Sequence, residues 1–131
     1  MAIIVDTDVT SYLLKQDSRA ELYRPHLFGL PKMISFMTLA ELRRWEIQNN
    51  WGEKRKVKAR EFLAAFAVVY ADEKLCEYWA KIKSEEHKKG NPIDTADAWV
   101  AAAALMFGVP LVTHNRRHFE NINGLQIVSE S

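Results

Sequence analysis

Ile3-Ile4-Val5-Asp6-Thr7-Asp8 sets three β-branched residues directly against an acid. Three such residues suit a buried strand and are too few for a helix. Val9, Tyr12 and Leu13 follow at helical spacing, so the segment reads strand, acid, helix, with Asp8 expected to cap that helix. The same grammar recurs downstream. Met33-Ile34-Ser35-Phe36 is extended and leads into Thr38-Leu39-Ala40-Glu41, which has the form of a capping box opening a second helix. Helix formers dominate Glu53 to Phe66, and Val68-Val69-Tyr70 reads as a third strand. Asp72 has the position of an N-cap for a helix through Leu75, Tyr78, Trp79 and Ile82 that ends near Gly90. An Ala-rich helix from Asp94 to Phe107 is stopped by Gly108 and Pro110. Leu111-Val112-Thr113 and Leu125-Gln126-Ile127-Val128 supply the last two strands. Strands alternating with helices predict an α/β three-layer sandwich around a central, mostly parallel sheet of four to five strands, formed by residues 1–131 as one domain.

Composition narrows the function classes. Over 131 residues, 48% are hydrophobic and 27% charged, the balance of a chain that builds a core rather than a disordered one. Eighteen Lys and Arg against seventeen Asp and Glu leave a net charge of +1, so any electrostatic argument rests on where the charges lie. The single cysteine, Cys76, excludes an intrachain disulfide framework and a multi-thiolate zinc site. No apolar run has the length of a transmembrane helix, and the first six residues lack the basic start and long apolar stretch of a signal peptide. A soluble, cytoplasmic protein without membrane contact is expected.

In an open parallel sheet, ligands bind beyond the carboxyl ends of the strands. Asp6 falls at such an end, Glu41 in the first turn of the helix after strand two, and Asp97 in the first turn of the Ala-rich helix. Three carboxylates distant in sequence are thus expected at one end of the sheet. Clustered acids repel, and a site that keeps them ionised calls for a cation; hard oxygen donors suit Mg²⁺ or Mn²⁺. Each acid also has a plainer reading. Glu41 could complete the capping box of Thr38, Asp97 could complement the helix dipole, and Asp94 reads best as a plain N-cap.

These segments resemble a PIN-domain nuclease, and more closely the toxin of a VapC-type toxin–antitoxin pair. The resemblance rests on Ile4-Val5-Asp6-Thr7-Asp8, Ser35-Phe36-Met37-Thr38-Leu39-Ala40-Glu41-Leu42, Pro92-Ile93-Asp94-Thr95-Ala96-Asp97-Ala98-Trp99-Val100-Ala101-Ala102, and Leu111-Val112-Thr113-His114-Asn115-Arg116-Arg117-His118-Phe119 with Gly124-Leu125. It spans nearly the whole chain in order and spacing. It implies a metal-dependent endoribonuclease in which Asp6, Glu41 and Asp97 are the catalytic acids, with Asp6 and Asp97 the main Mg²⁺ ligands. It also implies a homodimer held inactive by a cognate antitoxin whose C-terminal segment covers the acidic site. Two positions depart from the family pattern: His118 stands where many relatives carry another acid, and Asp8 where Asn is common.

Cleavage by water would leave 5′-phosphate and 3′-hydroxyl ends. Glu41 could hold a second ion, orient the water or take its proton. Thr7, Thr113 and Asn115 are expected around the ligating carboxylates as their hydrogen-bonding support. RNA must also be attracted to an acidic site. Between Arg43 and Arg60 there are seven cations against two acids, with Arg43 and Arg44 nearest Glu41 and with Trp45 and Trp51 available to stack on bases. Arg116 and Arg117 follow strand four on the expected rim and are read as phosphate contacts. Lys81 to Lys89 reads as a solvated helix face, and Trp79, Trp99, Phe62 and Phe66 read as core.

Three other functions compete with this reading. His114 and His118 could form a two-histidine ribonuclease, but no third ligand or orienting partner accompanies them in the sequence. A PIN-like module that binds RNA or an antitoxin without turnover is the main alternative. A phospho-receiver domain also clusters acids at strand ends, yet it wants adjacent acids after strand one and a Lys after strand five. Here Thr7 separates Asp6 from Asp8, and residues 125–131 contain no Lys.

Overall fold

The computed structural model describes residues 1–131. Five strands, β1 (Ile3–Val5), β2 (Lys32–Ser35), β3 (Phe66–Val69), β4 (Leu111–Val112) and β5 (Ile127–Val128), form one sheet in the order β3-β2-β1-β4-β5. Every pairing is parallel, with Ile4 set against Met33 on one side and against Leu111 on the other. The helices are α1 (Thr7–Lys15), α2 (Ala20–Leu27), α3 (Phe36–Gln48), α4 (Glu53–Leu63), α5 (Glu73–Lys88), α6 (Thr95–Phe107) and the single turn α7 (Arg116–Phe119).

The side-chain alternation of β1 explains the layers. Ile3 and Val5 join Val9, Leu13, Tyr23, Leu27, Leu42 and Leu63 in one core, built from α1 to α4. Ile4 points the other way, into a core with Leu75, Ile82, Val100 and the alanines of α6. A strand buried on both faces is a continuous apolar run, which is what Ile-Ile-Val is. Ala98 and Ala101 to Ala104 are all buried, so small side chains line the part of α6 that enters the core. Gly108 ends α6 in the left-handed region at φ 64, a conformation that glycine adopts without steric penalty.

Several helix starts differ from the sequence reading. Asp6, not Asp8, is the N-cap of α1, and its carboxylate accepts the Thr7 N–H. Ser35 caps α3 by accepting the Met37 N–H, so the helix begins at Phe36 and the Thr38–Glu41 capping box does not form. Glu41 therefore lies in the second turn of α3 rather than its first. Asp94 occupies the N-cap position of α6 but makes no capping hydrogen bond with its side chain. Asp72 caps α5 as expected, accepting the Leu75 N–H at 2.8 Å. Two helices, α2 and α7, have no counterpart in the sequence reading, and β5 is shorter than expected. No helix is long and apolar enough to cross a membrane.

The strand order decides where a site can form. The chain runs from β1 outward to β2 and β3, then crosses back to β4 and β5. Beyond the carboxyl ends of β1 and β4 the connections diverge, leaving a crevice between them. Asp6 follows β1 and Thr113 follows β4, so both stand at that crevice.

Candidate active site: a carboxylate cleft at the switch point

A cleft of about 550 Å³ opens at the crevice, lined by Asp6, Thr7, Asp8, Ser11, Tyr12, Lys15, Arg19, Glu41, Trp45, Asp94, Asp97, Asn115 and His118. The three acids expected together, Asp6, Glu41 and Asp97, come from the end of β1, from α3 and from α6, and all line it. Asp8 and Asp94 join them.

Each carboxylate is held by a definite partner. Asp6 is 6% exposed; its Oδ1 accepts the Thr7 N–H at 2.8 Å and its Oδ2 the Thr113 hydroxyl at 2.7 Å. Thr7 donates its hydroxyl to Glu41 Oε1 at 3.0 Å, which leaves the Thr38 hydroxyl, 2.8 Å away, as donor to Thr7. Thr38 thus supports Glu41 through Thr7 rather than capping a helix. Asp8 accepts the Val9 N–H at 2.6 Å and the His114 N–H at 3.0 Å. Asp97 Oδ2 lies 2.9 Å from His118 Nδ1. The Asn115 N–H donates to the Thr113 hydroxyl oxygen at 3.0 Å, so Thr113 links Asn115 to Asp6.

The acids make one another harder to ionise. Burial, with the Asp8 charge next in size, pushes the Asp6 carboxyl up to about 7 against the pull of its Thr113 and Thr7 hydrogen bonds. Burial also raises Asp8, Glu41 and Asp97. The Asp97 charge adds to the rise of Asp6 and Glu41, and the Asp94 charge adds to that of Glu41 and Asp97, whereas His118 pulls Asp97 down. Perturbed carboxyls gathered in a crevice single it out as a candidate functional site. As they stand, no three His, Cys, Asp or Glu side chains close into a finished metal-binding set. The donor chemistry nevertheless fits a hard divalent cation, because the groups are oxygen donors whose mutual repulsion such an ion would relieve.

The cations are distributed differently from the sequence reading. A second cleft of about 500 Å³ adjoins the first at Asn115 and His118 and is lined also by His114, Arg116, Arg117, Glu120 and Ser131. Arg117 further borders a smaller cavity shared with Asp94 and Asp97. Arg43 and Arg44 line neither cleft. Arg43 turns to the buried Glu46 at 3.1 Å, which Arg60 also approaches, at 3.5 Å. Arg44 is exposed and close enough to Glu41 to favour its ionised form. Trp51 is buried under the Arg55 guanidinium, 4.0 Å from its ring centroid, and offers no free face for a base. Trp45 does line the cleft, with Lys15 Nζ 4.8 Å from its ring centroid.

Lys15 and Arg19 were not singled out from the sequence. Arg19 packs 4.1 Å from the Tyr12 ring centroid and forms a two-pronged pair with Asp17. A signal for part of this set existed: Asp8, Ser11, Tyr12 and Lys15 recur at intervals of three and four, one stripe of a helix. His114 and His118 both line the second cleft, and each is held by a partner of its own, His118 by Asp97 and His114 by Tyr23.

A doubly wound parallel sheet with a carboxylate cleft at its switch point makes this an α/β fold with its acids gathered at the carboxyl ends of the strands. The PIN domain model matches residues 3–125, and the chain belongs to that family. It is similar to the ribonuclease VapC1 of Haemophilus influenzae strain 86-028NP, 32% identical over 96% of this chain and 96% of that protein. The tRNA(fMet)-specific endonuclease VapC of Shigella flexneri is 25% identical over 96% of both chains. Among solved structures, VapBC-1 from nontypeable Haemophilus influenzae superposes with a TM-score of 0.84 at 29% identity, covering 98% of each chain.

Proposed function

We propose that this chain is a Mg²⁺- or Mn²⁺-dependent endoribonuclease and the toxin of a VapC-type toxin–antitoxin pair, acting in the cytoplasm as one nuclease domain. The observation that carries this reading is the meeting of Asp6, Glu41 and Asp97, drawn from three separate elements, in one cleft. The VapC names of its relatives support ribonuclease activity, and the VapBC complex it resembles supports an antitoxin partner. A second copy of the chain completes the proposed assembly.

Asp6 and Asp97 would hold the cation. When bound, it supplies charge neutralisation to a phosphate oxygen and acidity to a water. Glu41, steadied by the Thr7 hydroxyl and raised by burial, would orient a water or accept its proton. Thr113 and the Thr7 N–H fix the two oxygens of Asp6, and the Asn115 N–H in turn holds Thr113, so Thr7, Thr113 and Asn115 set the geometry of the carboxylate. Asp8 and Asp94 bring negative charge to a cleft in which His118 stands at the position of a further family acid. Arg116 and Arg117, lining the adjoining cleft, take the phosphates flanking the scissile one, and Lys15 adds a cation in the carboxylate cleft itself; Arg44 adds charge outside the clefts, and Arg43, held by Glu46, contributes least.

One observation favours the alternative of a PIN-like module that binds RNA or antitoxin without turnover: the His118–Asp97 contact places a potential cation against a proposed metal ligand. Cleavage of RNA by the wild-type chain separates the two readings, and Asp97→Asn then tests the metal-ligand assignment. The variant should keep its fold and lose more than about 100-fold in kcat, because a metal ligand underwrites several kcal/mol of transition-state stabilisation. Cleavage retained in the folded variant would contradict the assignment.

A further inference from the structure

We infer that Tyr23 and His114 form a positioning clamp for Asp8, acting through the main chain just after β4. The inference rests on the nuclease reading above. Tyr23 lies on α2 and is fully buried. Its hydroxyl meets His114 Nδ1 at 2.5 Å, accepts the Glu130 N–H at 3.0 Å and lies 3.4 Å from the Thr113 carbonyl oxygen. The rings of Tyr12 and Tyr23 both meet the His114 imidazole edge to face, with centroids 5.5 and 5.6 Å away. Two aromatic walls and one short hydrogen bond leave this imidazole little freedom, so the peptide that carries it is fixed relative to α1 and α2.

That peptide supplies the N–H that reaches Asp8 Oδ2 at 3.0 Å, while the Val9 N–H takes Oδ1. Both oxygens of the carboxylate are therefore tied to backbone donors, one from its own helix and one from the segment just after β4. The second tie matters because Asp8 shares the cleft with Asp6 and Asp97, whose like charges favour its swinging outward. Without a fixed His114 N–H, the carboxylate can relax along that repulsion and the field at Asp6 changes. The C-terminal segment closes the clamp from outside: the Glu130 N–H sits on the Tyr23 hydroxyl, and the Glu130 carboxylate lies 2.8 Å from His26 Nε2. Tyr23 itself lines neither cleft, so it is a positioning residue that acts through His114 and Asp8.

Tyr23→Phe keeps the ring and deletes the hydroxyl; His114→Ala keeps the backbone N–H and deletes the other half of the clamp at a less buried position. Steady-state cleavage of RNA and hydrogen exchange at the His114 amide are measured for both variants and wild type. The clamp predicts a kcat lower by about tenfold, a KM for RNA within about twofold of wild type, and faster exchange at the His114 amide, the size expected when support of an active carboxylate is removed. A kcat within about twofold of wild type in the folded variants, or a loss confined to KM, overturns it. A wild-type chain that leaves RNA uncut would instead sink the nuclease reading. The His114 amide, which needs no substrate, would then decide the clamp by itself, since unchanged exchange in both variants refutes it.

Discussion

Asp6 is asked to do two incompatible things, to sit in the core and to carry charge, and its chemistry follows from the conflict. Burial and the neighbouring Asp8 push its carboxyl up to about 7, while the unfolded chain releases that proton near 3.8. Between those values the folded chain holds a proton that the unfolded chain has lost, so the stability of the metal-free protein from this group is full below about 3.8, falls as pH rises across that window and is gone above about 7. Asp8, Glu41 and Asp97 shift in the same direction and reinforce the trend. Thermal denaturation in EDTA should give a higher Tm at pH 5 than at pH 8, and Asp6→Asn should flatten that slope; an unchanged slope in the variant would show that Asp6 does not set it. At this scale the position of Asp6 at the end of β1 is legible from sequence, but the expectation that an acid after Ile-Ile-Val need not cap a helix fails, since Asp6 caps α1. Asp8 was misread as a cap, and with it went Ser11 and Lys15. Sequence spacing places these on one stripe of α1, but only the packed molecule says that the stripe faces a cleft.

Among the elements, helix ends were the hardest to read and strands the easiest. β1 is buried on both faces, so its composition alone announces it. The start of α3 turns instead on competition among three polar residues, Ser35, Thr38 and Glu41, any of which suits a helix N-terminus. Ser35 prevails because β2 runs directly into it, which carries Glu41 a turn deeper and frees Thr38 to bond Thr7. Helix α2 carries Ala20, Tyr23 and Leu27 at helical spacing, all buried, with Pro25 interrupting the sequence signal from inside. Helix α7 is four residues long, too short for any periodicity to register. Where a cap was read correctly, its energetic role can be tested free of the active site. Asp72→Ala removes the bond to the Leu75 N–H at the start of α5 and should cost about 1 kcal/mol in denaturant unfolding. Asp72 lines neither cleft, so kcat should be unaffected; a kcat that fell with the stability would link α5 to the site.

Taken whole, the molecule separates charges that its composition hides. A net charge of +1 conceals five carboxylates in one cleft and two arginines beside the next. A polyanion approaching the acidic cleft needs those cations, so Arg116→Ala or Arg117→Ala should weaken RNA binding across sequences and shrink the salt slope by about one unit each. An unchanged salt dependence would remove them from the RNA path. The sheet order that creates the switch point also emerges only at this scale. The alternation of strands and helices predicts a parallel sheet, but which strand lies beside β1 depends on how the crossovers pack. The central claim is that the carboxylate cleft cuts RNA with a divalent cation, and one measurement addresses it most directly. Purified, partner-free protein is given a pool of structured RNAs with Mg²⁺ or Mn²⁺ in one arm and EDTA in the other, and the ends of the products are identified. Cleavage that requires the metal and leaves 5′-phosphate ends is the predicted result; cleavage that persists in EDTA would contradict it.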